Sequence, residues 1–305
     1  MRSVYRSLAS RSIPRPLTAA EPLPWLFGGE CKGPETMLPS ATMADKRDNA
    51  VDHLLAPLVE EASRAGSRLR YSPVGDFHHG TCRYRLPRFV FQGPPGGGAT
   101  IRLGLFAAIH GDEPEGAAAL RDFLLGLVRE PGLAQGYEIY AYPVCNPSGL
   151  EDNTRASRAG YDLNREFWRG SQQPEVYYLE RELGVLQFAG LVALHSDDTT
   201  AGAYAFVRGA TLTEALAKPA LAAATEFLPL ACGETIDGFP ACNGLISLCY
   251  EGVLSNPAEL HPLPFEIIFE TPQTFPADRQ VAAATAALGA ILREYRQFIA
   301  YGDNL

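Results

Sequence analysis

Nowhere in the sequence does an apolar run last the roughly eighteen residues that a membrane-spanning helix requires, because Gly, Pro or a charge interrupts each candidate. A soluble protein without membrane partners is the expectation. Basic residues are also in short supply: 26 Lys and Arg stand against 35 Asp and Glu, a formal net charge of −9. Proteins that bind nucleic acid concentrate Lys and Arg to meet phosphates, so nucleic acid is not an expected partner. The six cysteines, Cys31, Cys82, Cys145, Cys232, Cys242 and Cys249, never fall at CxxC spacing. Their scatter fits a reducing compartment such as the cytoplasm better than a disulfide scaffold, although Cys232 and Cys242 could pair. No internal repeat is found, and no low-complexity tract beyond the N-terminal stretch.

The sequence has 305 residues and 46% hydrophobic content, enough to bury the core of one large α/β domain. Residues 1–42 stand apart from it. Arg2, Arg6, Arg11 and Arg15 occur among serines, no acid precedes Glu21, and prolines and glycines follow. That composition suits an organelle transit peptide, and equally a start codon misassigned upstream of Met37 or Met43. A dispensable, disordered tail is expected either way, followed by a single catalytic domain over 43–305. From Ala44 the spacing becomes helical, with Val51, Leu54, Leu55, Leu58 and Val59 on one face.

Apolar segments at 88–93, 101–109, 137–145, 191–195, 245–252 and 265–270 read as strands. Helical patterns cover roughly 114–129, 173–188, 211–226 and 277–300. This alternation predicts a parallel or mixed sheet covered by helices on both faces.

The stretch "LFAAIHGDEPEG" (105–116) ends an apolar run in a histidine and three acids. Pro114 suits the first helical position and pushes Glu113 out of the α region, so His110 and Glu113 share one turn. Acids at a helix start are favoured by its dipole and need no ligand. A second histidine, His195, nevertheless closes the strand "LVALH". Two imidazoles and one carboxylate make a His2Glu set, which binds zinc and leaves a position open for water. Glu270 ends the apolar "FEIIFE", where burial would raise its pKa toward the range of a general base. The stretch 146–168 reads as a long irregular loop with Asn146, Arg155, Arg158, Asn164 and Arg165. Such loops are commonly functional, and arginine can grip a carboxylate with two hydrogen bonds or meet an oxyanion. All four features fall at predicted strand ends, where open α/β sheets gather ligands.

In this order, HxxE (His110, Glu113), NPxG with a following Arg (Asn146 to Gly149, Arg155), "DLNR" (Asp162 to Arg165), His-Ser (His195, Ser196) and a late Glu270 resemble the M14 zinc carboxypeptidase superfamily. The resemblance spans roughly 85–300. It implies a three-layer α/β/α carboxypeptidase-like fold with a mixed, mostly parallel sheet and one Zn2+ held by His110, Glu113 and His195. It further implies Glu270 as general base, Arg155 on the scissile carbonyl, and Asn164 with Arg165 on a substrate carboxylate. "HGDE" and "GYDLNREF" are similar to bacterial carboxypeptidases and murein-peptide amidases. The "HGDEPEG" loop and the short His110–His195 separation also suit the succinylglutamate desuccinylase/aspartoacylase branch. The substrate implied is a small peptide or peptidoglycan fragment, or alternatively an N-acyl amino acid; a non-catalytic carboxylate-binding relative is the third reading. The superfamily's mobile tyrosine falls near Phe239, leaving Tyr204 and Tyr250 as candidates from elsewhere.

Overall fold

The computed structural model describes residues 50–302, and the expected tail over 1–42 lies outside them. The first described helix, α1 (Ala50–Ser63), buries Val51, Leu55 and Leu58 of the expected apolar face. Short strands β1 (Leu69–Tyr71), β2 (Gly75–His79), β3 (Cys82–Leu86) and β4 (Phe89–Gln92) follow. The alternating part then begins: β5 (Ile101–Ala107), α2 (Pro114–Arg129), β6 (Tyr137–Tyr142), α3 (Pro147–Asp152), α4 (Pro174–Leu186), β7 (Gly190–Asp197), β8 (Tyr204–Gly209) and α5 (Thr213–Ala224). Two-residue strands β9 (Thr235–Ile236), β10 (Phe239–Pro240) and β11 (Leu245–Ile246) lead to β12 (Phe265–Pro272) and the long α6 (Ala277–Gly302). No helix among the described residues is long and apolar enough to cross a membrane.

Eight strands form the central sheet in the order β1-β4-β6-β5-β7-β12-β8-β11. The four inner strands β6, β5, β7 and β12 run parallel, β8 turns antiparallel against β12, and β4 antiparallel against β6. Every residue of β12 is buried, as expected for a strand covered on both faces. Strand alternation sorts the core into two layers. Leu103 and Leu105 of β5, Val192 and Leu194 of β7, and Ile267 and Phe269 of β12 pack with Leu120 and Leu124 of α2 and Leu288 of α6. On the opposite face, Phe106, Leu191, Ala193 and Ile268 pack with Val176, Leu179 and Leu183 of α4. The result is an α/β/α sandwich.

Two expectations need correction. The stretch 245–252 is a strand only over Leu245–Ile246, because from Ser247 onward the chain leaves β8 and packs against residues 164–169. The loop 146–168 is not irregular throughout. Asn146 accepts from the Gly149 N–H at 2.9 Å, Pro147 takes the first helical position, and α3 forms. Cys232 and Cys242 are both free thiols.

The turn after β5 is held by close approach of backbone. A Cβ on Gly111 would lie 1.9 Å from the Gly149 carbonyl carbon, and Gly111 N donates to Thr154 O at 3.0 Å. Gly111→Ala is therefore expected to cost about 1–3 kcal/mol through overpacking. Thermal denaturation of the purified variant checks this, and an unchanged midpoint would show that the α3 loop moves aside freely.

Candidate metal centre and active site

Sheet register assembles the site. His195 of β7 pairs with Glu270 of β12, and Glu270 pairs in turn with Tyr204 of β8. Their positions share the parity of Ala193, Ile268 and Phe206, so all three side chains leave the sheet on the α4 side in one row. His195 and Glu270 stand inside their strands, not past the ends, because pairing continues to Asp197 and Pro272. His110 arrives from the turn after β5, the parallel neighbour of β7.

Glu113 occupies the N-cap position of α2 but caps nothing there. Its carboxylate faces two imidazoles instead: His110 Nδ1 is 2.5 Å from Oε1, and His195 Nδ1 is 2.9 Å from Oε2. Ser196 N also donates to Oε2, at 3.1 Å. Ligand atoms of His110, Glu113 and His195 lie within 4.8 Å of one another, and all three residues are buried. Burial alone would raise the Glu113 carboxyl, yet His195 and His110 outweigh it and hold it well below the usual carboxylate range. An anionic oxygen donor facing two nitrogen donors in a buried cradle fits a divalent cation, which would replace the protons those pairs share.

Asp162 ties this cradle to the neighbouring loop. Its Oδ1 lies 3.3 Å from His110 Nε2 and accepts from Asn164 N at 3.0 Å, while Oδ2 accepts from Arg155 Nε at 3.1 Å. Burial would raise the Asp162 carboxyl, but His110 and Arg155 lower it further and keep it charged. A carboxylate on the far nitrogen of a ligand histidine fixes the tautomer and the ring plane. The "DLNR" motif contains Asp162, but only the fold reveals that it touches His110. Arg155 Nη1 reaches to 3.7 Å from Glu113 Oε1.

Glu270 has the opposite electrostatics. Burial pushes its carboxyl up to about 8; His195 works against the rise, and Glu113, Asp197 and Asp237 add to it. Asn164, Arg165, Tyr204, Asp237 and Tyr250 complete a cavity of about 370 Å3 with these residues. His110, Glu113, Arg155, Asn164, Arg165, His195 and Glu270 therefore line one cavity, whereas Asn146 caps α3 and Arg158 pairs with Asp152 away from it. Asn164 Oδ1 is spent on Leu254 N at 2.9 Å, which leaves only its Nδ2 to meet a ligand. Phe239 does not line the cavity; it packs edge-on against Tyr250, which does. Sequence reading missed Asp237, since Asp-Gly after a short strand signals only a hairpin turn. That turn is indeed what it makes, with Asp237 at φ 50° and Gly238 at 76°.

Residues 99–232 match the family model described as the succinylglutamate desuccinylase/aspartoacylase catalytic domain. Among solved structures, a candidate metallopeptidase of Shewanella baltica aligns over 80% of this chain and 92% of its own, with a TM-score of 0.65 at 20% identity. The metallo-carboxypeptidase of Burkholderia cenocepacia aligns over 81% and 69%, with a TM-score of 0.60 at 16% identity. The resemblance to the M14-like superfamily holds. At these identities the solved structures speak for the fold alone, and the eight-stranded sandwich of this chain is carboxypeptidase-like. No curated protein matches the chain.

Proposed function

We propose that the chain is a zinc-dependent hydrolase that cleaves an amide bond next to a free carboxylate, in a peptide or a peptidoglycan fragment. The observation that carries this reading is the pairing of opposite environments in one cavity: Glu113 held anionic between two histidines, and Glu270 pushed up by burial. His110, Glu113 and His195 would hold the zinc, which supplies a more acidic water and polarises the scissile carbonyl. Glu270 accepts the water proton and delivers it to the leaving amine. Arg155, half-exposed at the rim, donates to the oxygen on which charge develops. The Asn164 amide and the Arg165 guanidinium hold the substrate carboxylate at the far side of the cavity.

A second reading, hydrolysis of an N-acyl amino acid, is favoured by the family match over 99–232. Amine release from a panel of short peptides and N-acyl amino acids, measured on protein of known zinc content, separates the two. Release from neither class by zinc-loaded protein would leave the carboxylate-binding, non-catalytic reading.

Arg165→Ala is expected to raise the Michaelis constant more than it lowers turnover, by roughly ten- to a hundredfold, because a charge-assisted contact common to ground and transition states is worth about 1.5–3 kcal/mol. Steady-state kinetics on the best panel substrate provides the check, and a pure loss of turnover would move Arg165 to the reacting centre.

A further inference from the structure

Residues 164–169 and 250–255 lie against each other over their whole length. Asn164 Oδ1 accepts from Leu254 N at 2.9 Å, Phe167 N donates to Gly252 O at 3.0 Å, and Trp168 Nε1 donates to Ser255 O at 2.9 Å. Arg169 pairs with Glu251 at 2.8 Å. Gly252 makes this closeness possible: a Cβ there would fall 2.3 Å from the Arg165 carbonyl oxygen, and its φ of 72° already disfavours any side chain. Contact at this point leaves the Arg165 guanidinium carbon 4.4 Å from the centre of the Tyr250 ring. Arg165 Nη1 meanwhile donates to Asn164 O at 2.8 Å.

Tyr250 is fixed from its other side as well. Its hydroxyl donates to the Asp237 carbonyl at 3.3 Å, and Phe239 meets the ring edge-on at 4.8 Å. Both partners come from the β9–β10 hairpin, whose turn holds Asp237 over the cavity. Guanidinium on one face, an anchored hydroxyl and a packed edge together leave the tyrosine no freedom to swing without breaking three contacts.

We propose that Tyr250, Asp237 and Gly252 are positioning residues that hold Arg165 oriented for the substrate carboxylate: the ring of Tyr250 is a platform, Asp237 its anchor, and Gly252 the gap that lets the two segments close. The inference rests on Arg165 being the carboxylate ligand. A guanidinium stacked on an aromatic face keeps its planar fork directed outward and loses less freedom when a carboxylate docks. Tyr250 then acts through Arg165, and its hydroxyl does not serve the reacting atoms.

The test uses zinc-loaded protein and two readouts, steady-state constants on the best panel substrate and calorimetric binding of succinate as a small carboxylate probe. Tyr250→Ala is expected to raise both the Michaelis constant and the succinate Kd by roughly 3- to 30-fold, the range of a cation–π contact, with a smaller fall in turnover. Tyr250→Phe should recover most of that loss, since it restores the platform. Gly252→Ala should behave like Tyr250→Ala; where it fails to fold, the Tyr250 pair alone decides. A Tyr250→Ala variant with both constants unchanged overturns the platform, provided Arg165→Ala raises them. Tyr250→Phe losing a hundredfold in turnover at constant Michaelis constant overturns it too, by putting the hydroxyl on the reacting atoms. Unchanged succinate binding in Arg165→Ala would instead remove the carboxylate reading itself, and the platform with it.

Discussion

Replacing Glu270 by glutamine is expected to lower turnover by roughly two to four orders of magnitude while bound zinc and the Michaelis constant change little. Glutamine keeps the size and the hydrogen-bonding reach of the side chain but cannot take a proton from water. Kinetics and elemental analysis on the same preparation decide the matter. Near-normal turnover would end the assignment of the base, and loss of zinc would make Glu270 a ligand. The wild-type rate should rise with pH as Glu270 ionises. Without metal its carboxyl is pushed up to about 8 by burial, with Glu113 adding to the rise. A bound cation draws it down, so the rising limb belongs between the ordinary glutamate range and 8.

The same group has a stability signature in metal-free protein. A carboxyl whose folded pKa exceeds its unfolded one binds more protons when folded, so its contribution to stability falls as pH rises from about 4.3 toward 8. Glu113 has the reverse shift and gives stability above its unfolded value that acid removes. Metal-free Glu270→Gln should therefore melt higher than metal-free wild type at pH 8, with the gap closing toward pH 4. A gap that does not depend on pH would mean that the glutamine change acts through packing and not through the carboxyl.

Loss of one histidine should have the larger consequence for the site as a whole. Wild-type protein is expected to carry about one zinc per chain, and His195→Ala to lose it and with it measurable hydrolysis. The variant leaves Glu113 with His110 as its only imidazole partner, beside the Ser196 N–H and Arg155, so a buried carboxylate loses one of its two close cationic partners. A lower melting point should accompany the metal loss, and chelation of wild type should reproduce the loss of activity but not the loss of the Glu113–His195 pair. Equal zinc in both proteins would take His195 out of the centre.

How much of this was legible in the sequence depends on the element. Helix α2 was readable to the residue, because Pro114 marks its start and apolar residues recur on one face through Leu127. Strand β12 was readable because a sheet covered on both faces leaves an unbroken apolar run. Strand β11 was overextended for the converse reason: "LISLCYEG" is apolar enough for a strand, but its second half packs on another loop. The site residues were legible as residue types, although His195 and Glu270 lie inside their strands and not at the ends, and Asp237 was not legible, since its turn signal concealed that the turn hangs over a cavity.

Sequence by itself determined the chemistry available to this protein: two histidines and two glutamates delivered by apolar strands, a set of arginines in one polar stretch, and too few basic residues for a phosphate-binding surface. Side-chain type and local periodicity are properties of a few neighbouring residues, so they survive in one dimension. Tertiary structure alone decided which of these groups share a space and which charge state each keeps. Parallel register set His195 beside Glu270, and that pairing is made between strands about 75 residues apart, which no local signal encodes. The opposite shifts of Glu113 and Glu270 follow from the same cause. Both are buried glutamates, and only the fold gives one of them two imidazoles facing its carboxylate and leaves burial to dominate the other.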